Sequence, residues 1–251
     1  MMKEFNSSSL HLLDSIANGI QFLQRGNASS AISEFKAALM SLKRQIDQTR
    51  QSSEIQNKKD QEQDLLGEWT DHGGFSIQSL SIAHKTWLKE ECGLFLLFPK
   101  VFRICKTQGS MNALECRSCL IVLLYNLGLA YDLQAKSGPV GATYKCMERA
   151  IFFYQAALEA AVSTDHARSV AVLANMKLVL LATINNLARL ESLQLCSEGL
   201  NTCLDWAGDL LCSTTNVPLE EDVDEDYQFL LQSLGPSLQL DAFVLPAAPA
   251  A

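Results

Sequence analysis

Apolar positions follow helical periodicity at both ends of the chain and lose it in the middle. Residues 9–25 and 28–46 each repeat large apolar side chains at steps of three and four, which lines one face of a helix, and together they predict a first helix pair. Gly26 and Asn27 form the break: glycine permits the turn and asparagine suits the cap of the next helix. Four further helices are predicted over 110–136, 144–162, 167–194 and 197–211, with a loop at 137–141 and with Asp165 and Ser197 as caps. Residues 47–64 carry Ile55 as their only large apolar residue, which predicts a frayed helix end running into a disordered linker.

The middle has another period. Residues 75–82 alternate apolar and polar after Gly73 and Gly74, the pattern of a half-buried strand. Residues 93–105 are rich in phenylalanine and branched side chains and contain Pro99, which no helix interior tolerates, so the two stretches predict a β-hairpin with the second strand at an edge or bulge. After Cys212 the helical pattern stops. Residues 220–226 are almost entirely acidic, residues 227–234 suit a short docked strand, and a loose tail follows. The chain thus divides into a first helix pair (1–48), a polar linker (49–72), a hairpin insertion (73–108), second and third helix pairs (109–212), and an acidic segment with a mostly disordered tail (213–251).

Bulk properties narrow the function. With 48% apolar residues in 251, the chain has material for a sizeable core. Its 20 lysines and arginines stand against 28 acids, a formal charge of -8, whereas duplex binding needs the opposite balance, so nucleic acid is not expected as a partner. The start lacks the basic and apolar regions of a secretory signal, and the longest apolar runs, 120–131 and 169–184, are too short or are interrupted by Asn175 and Lys177. An intracellular, cytoplasmic protein without a membrane partner is expected.

Eight cysteines allow two readings. Buried free thiols fit their apolar, helix-periodic surroundings, while Cys116 and Cys119 have the spacing of a redox pair or half a zinc site. No second such pair follows, and His11, His72, His84 and His166 are scattered singly, so neither metal nor cofactor is expected. Phosphate loops, nucleophile elbows and dinucleotide-binding glycine sets are all missing from the sequence, and no enzymatic activity is expected. The acidic run is a solvated segment or a weak site for calcium or a basic partner.

Repetition carries the most information. From Gly19, residues Ala31, Phe35 and Ala38 fall at +12, +16 and +19, and from Ala188 the same steps reach Leu200, Leu204 and Ala207. From Gly128 they reach Ala150, Tyr154 and Ala157 once ten residues are inserted in the turn. Small residues let antiparallel helices approach, which predicts Gly19 facing Ala31 and Gly128 facing Ala150, with Phe35 and Tyr154 filling the gap to the next helix. On Asn126–Tyr131, Ala150–Leu158 and Ala31–Leu39, the sequence resembles the tetratricopeptide repeat family. That resemblance implies a mainly α protein of three antiparallel helix pairs in an α-α superhelix, with the hairpin inserted near 75–104.

The resemblance also implies a non-catalytic adaptor whose first helices line a concave groove for a peptide or partner helix. The groove would show Leu13, Ile16 and Ile20, then Val122, Tyr125, Asn126 and Leu129, then Asn185, Asn186 and Arg189. Asn126 and Asn186 are expected to hydrogen-bond a peptide backbone, or else turns and loops of the fold itself. Groove walls such as Ile16 and Leu129, with Arg189 as the visible cation, do not suit a clamp for a terminal carboxylate. The alternative is a structural subunit that self-associates through stacked repeats. The partner is a protein or peptide that the sequence does not name.

Overall fold

The computed structural model describes residues 2–56, 75–82, 95–106, 111–137, 140–162, 166–213, 221–234 and 237. Among these the chain is mainly helical, with one small two-stranded sheet: α1 (Met2–Gln24), α2 (Ala28–Gln56), β1 (Ser76–Ser81), β2 (Lys100–Cys105), α3 (Ala113–Ser137), α4 (Val140–Val162), α5 (His166–Leu193), α6 (Ser197–Ser213) and α7 (Glu221–Leu234). The chain forms two compact units. Unit 1 takes Met1–Glu90 and Pro99–Val172, and unit 2 takes Glu91–Phe98 and Leu173–Ala251.

In unit 1, α1 packs on α2, α2 on α3 and α3 on α4, and β2 lies against both α1 and α3. β1 pairs antiparallel with β2 from Ser76 opposite Cys105 to Ser81 opposite Lys100. The ladder starts only after Pro99, whose lack of an N–H prevents it from donating; its carbonyl accepts from Ile82 N–H at 3.0 Å. The expected second strand over 93–105 is therefore shorter than its composition suggested. Asn27 caps α2 through Ser30 N–H (3.0 Å), and Asn112 with Glu115 forms a reciprocal capping box (2.8 Å each way) that starts α3 three residues later than predicted.

The two glycines of the repeat frame lie nearest to the aromatic rings of the same frame. A Cβ on Gly19 would come within 2.5 Å of the Phe35 ring, and one on Gly128 within 2.6 Å of the Tyr154 ring. Each glycine makes room for an aromatic ring of the helix that follows it, and Ala31 and Ala150 are buried as well. The ten-residue insertion is not a longer loop. Relative to the first pair, it adds four residues to the end of α3 and seven to the start of α4, which begins at Val140 instead of 144.

Several boundaries are corrected. α2 runs to Gln56, past the expected frayed end; the added text carries three glutamines with Arg50 and Glu54, good helix formers, and no glycine or proline to stop it. The remainder of the predicted linker, 57–72, lies outside the described residues, as does the proposed cap Asp165. Ser197 is the first helical residue of α6, and the carbonyl of Cys196 accepts its first helical bond, from Leu200 N–H (3.1 Å). Residues 227–234 form no strand: α7 is helical and buries Asp226, Leu230, Ser233 and Leu234, a helix-periodic set. Acidic residues at its start suit a helix N-terminus, so residues 221–226 of the acidic run open a helix, while the expected tail beyond 234 lies outside the described residues except for Ser237.

α3 is long and apolar enough to cross a membrane by length and composition, but 72% of its most apolar stretch is buried inside the protein. It is a core helix flanked on both sides by other helices, which is why its apolar residues run all round it.

Candidate functional site

Two side-chain pairs, at the same place in the repeat frame, hold the chain's own backbone. In unit 1, Asn126, two residues before Gly128, accepts from Phe102 N–H through Oδ1 (3.0 Å) and donates through Nδ2 to Phe102 C=O (2.8 Å). Tyr125 donates its hydroxyl to Lys100 C=O (2.8 Å). In unit 2, Asn186, two residues before Ala188, accepts from Phe98 N–H (2.8 Å) and donates to Phe98 C=O (3.3 Å). Asn185 donates to Leu96 C=O (2.8 Å).

The logic is the same in both units. One residue offers both backbone groups to a single amide only when they point to the same side, as in extended chain. The preceding residue in the frame then reaches the carbonyl two positions back, on the same face of the extended segment because side and period alternate by two. The backbone carbonyls engaged are those of residues 96 and 98 in unit 2 and 100 and 102 in unit 1.

Of the residues expected in the groove, Leu13 is half-buried and the rest are buried, with Tyr125, Asn126, Leu129, Asn185 and Asn186 at 0% exposure and Arg189 at 3%. Tyr125 packs edge-on to Phe102 (5.0 Å) and against Tyr154 (5.8 Å). Four of the six engage the chain's own extended segment. Leu129 joins the apolar core of unit 1, while Arg189 is buried in unit 2. In the first pair the corresponding positions are Ile16 and Ala17, which carry no hydrogen-bonding side chain.

Unit 2 adds residues that sequence reasoning missed. Ser233 on α7 accepts from Leu96 N–H (3.2 Å), and Phe229 lies 5.7 Å from the Phe98 ring. Helix-periodic burial at 226, 230, 233 and 234 was the available signal, masked by the run of acids. Asn185 Nδ2 faces both Leu96 C=O and Asn186 Oδ1 (3.3 Å), which fixes its amide orientation. Its Oδ1 is buried with no hydrogen-bond partner among the described residues. Such an acceptor costs about 1–3 kcal/mol.

The thiols offer little chemistry. Burial raises Cys116 and Cys119, and it pushes Cys203 up to about 12 with help from Glu191 and Cys196. These thiols stay protonated and are poor nucleophiles at neutral pH. Among the described cysteines, Cys116, Cys119 and Cys203 are buried as the plain reading expects, Cys105 and Cys146 are half-buried, and Cys196 and Cys212 are exposed. Among the described residues, no three His, Cys, Asp or Glu side chains converge as metal ligands.

No family model, curated protein or solved structure matches the chain.

Proposed function

We propose that this chain is a non-catalytic protein-interaction adaptor of the tetratricopeptide-like kind, whose first helices present side chains to extended polypeptide. The observation that carries the reading is the repeated pair, Tyr125 with Asn126 and Asn185 with Asn186, each bonding alternate residues of an extended backbone. An amide that takes both groups of a backbone residue recognises chain conformation rather than side-chain identity, which is what a peptide-binding face requires. The frame supports the same reading. Gly19 against Phe35 and Gly128 against Tyr154 repeat one packing solution. The turns after α1 and α5 also close alike: Gly26 N–H bonds Leu23 C=O and Asn27 N–H bonds Phe22 C=O, while Leu195 and Cys196 do the same to Ser192 and Glu191.

The test is capture from the native cell with the full chain, followed by titration of the purified partner. A chain of constant mass that binds with roughly micromolar Kd or tighter supports the adaptor. A mass that grows with concentration, with no partner retained, overturns it in favour of a self-stacking subunit.

A further inference from the structure

Unit 2 holds a short extended segment by the backbone of two of its residues, Leu96 and Phe98, and by the Phe98 ring. Leu96 is held from two helices, its N–H by Ser233 Oγ of α7 and its carbonyl by Asn185 Nδ2 of α5. Phe98 gives both backbone groups to Asn186. Phe95 and Phe98 are buried to 1% exposure, whereas the Leu96 side chain between them is 50% exposed. The Phe98 ring packs on Phe229 of α7, so the slot reads an extended backbone and an aromatic side chain; a second buried aromatic stands three residues before it, Leu97 is buried at 9% exposure, and the second position is left open.

Three observations mark residues 95–98 as an occupant rather than a built-in part of unit 2. The segment belongs to a short stretch, Glu91–Phe98, whose neighbours in sequence on both sides belong to unit 1. Its hydrogen bonds to α5 and α7 are made to side chains, which would accept any extended backbone. It also satisfies the slot incompletely, because Asn185 Oδ1, on a residue with 0% exposure at the slot wall, has no partner among the described residues.

We propose that this slot is a binding site for an extended Phe-x-x-Phe peptide of a partner protein, which replaces residues 95–98. The proposal rests on the adaptor reading and supplies its ligand class. A partner that offers a donor to Asn185 Oδ1 gains a bond that the resident segment lacks. The tether keeps the resident at high effective concentration, so weak or incidental peptides are excluded.

The full chain tests this with a labelled synthetic peptide of the sequence of residues 93–100. In the Phe98→Ala chain, which weakens the resident, the peptide is expected to bind at least tenfold more tightly than to the wild type. Adding Asn186→Ala is expected to abolish that gain, and a peptide with both phenylalanines replaced by alanine is expected not to bind. If Phe98→Ala does not fold, hydrogen exchange of the wild type decides. The amides of Leu96 and Phe98 should then open at least tenfold more often than the core amides of α5, and excess peptide should accelerate their exchange. Exchange of these two amides only with global unfolding, or a folded Phe98→Ala chain that ignores the peptide, overturns the proposal. So does a dimer that exchanges the segment between copies and is indifferent to peptide. A native partner that binds while Phe98 stays protected also overturns the slot, and leaves the adaptor reading standing.

Discussion

Units 1 and 2 use the same repeat frame, but unit 1 obeys the local rules of folding and unit 2 breaks several of them. In unit 1 the left-handed turn residue is Gly26 (φ 79°), while in unit 2 the matching position is Leu195 (φ 57°), 91% exposed. Among the described residues, unit 1 buries Asp132 and the side chain of Lys106, which is ion-paired with Glu115, and unit 2 buries Lys177, Arg189, Glu191 and Asp226. Tyr125 is bonded and packed on two rings, whereas its counterpart Asn185 leaves an oxygen with no partner among the described residues. Where a frame is kept and its stabilising details are given up, the departure points to function rather than to folding. That is why the peptide slot is assigned to unit 2.

The largest expected contrast lies at these matching positions. Tyr125→Ala removes a fully buried ring and should cost about 3–5 kcal/mol in chemical denaturation. Asn185→Ala should cost under about 1 kcal/mol, because the bonds it removes, to Leu96 C=O and Asn186 Oδ1, are offset by removal of an acceptor with no partner among the described residues, and Leu96 is half-exposed. Equal costs at the two sites would erase the distinction between the units. Asn126→Ala and Asn186→Ala should each cost about 2–4 kcal/mol, since each leaves a buried N–H and C=O unbonded.

Next in size is the glycine at the heart of unit 1. Gly128→Ala improves helix propensity by about 1 kcal/mol. Against that gain, its Cβ would stand 2.6 Å from a Tyr154 ring buried at 0% exposure, so something must move. Overpacking should win, with a net loss of about 1–3 kcal/mol in thermal melts. Gly208→Ala on α6 meets nothing within 4 Å and should stabilise unit 2 slightly.

The thiols supply a pH test. Cys203 is pushed up to about 12 by burial, with Glu191 and Cys196 adding to it, and Cys119 is raised by burial. A thiol whose folded pKa exceeds its unfolded value of about 8.5 costs nothing below that pH and destabilises above it, because only the unfolded chain sheds the proton. Stability should therefore hold up to about pH 8.5 and fall as pH rises toward 12. At neutral pH a thiol reagent should label Cys196 and Cys212 in the native protein, and Cys119 and Cys203 only after unfolding.

What the sequence made legible was local. Helical period located the helices, the +16 step located the glycine–aromatic contacts of the first two pairs, and the place of Asn126 and Asn186 in the frame singled them out as candidates to bond a backbone, of a peptide or of the fold itself. Their occupant was not legible, because the bonds to Phe102 and Phe98 span 24 and 88 residues, and no periodicity encodes such pairings. α7 was hidden because its acids suggested solvent exposure while its buried residues sit on one helical face. The turn between α3 and α4 was misjudged because Gly138, Pro139 and Gly141 signal a loop, yet Gly141 falls inside α4.

The smallest expected effect tests the turn that closes the first helix of each outer pair. Leu195 and Gly26 both sit at the left-handed position after a helix, where their N–H bonds the carbonyl three residues back (3.1 and 2.9 Å). A residue with a Cβ pays about 1–2 kcal/mol there, and glycine pays instead through greater freedom in the unfolded chain, about 0.4–1 kcal/mol. At 91% exposure the Leu195 side chain recovers nothing from burial. Leu195→Gly should therefore stabilise the protein by about 0.5–1 kcal/mol, and Gly26→Leu should destabilise it by a similar or larger amount. If Leu195→Gly instead weakens binding of a captured partner while raising the melting temperature, the exposed leucine belongs to the interaction surface, and the strain in unit 2 has a second use.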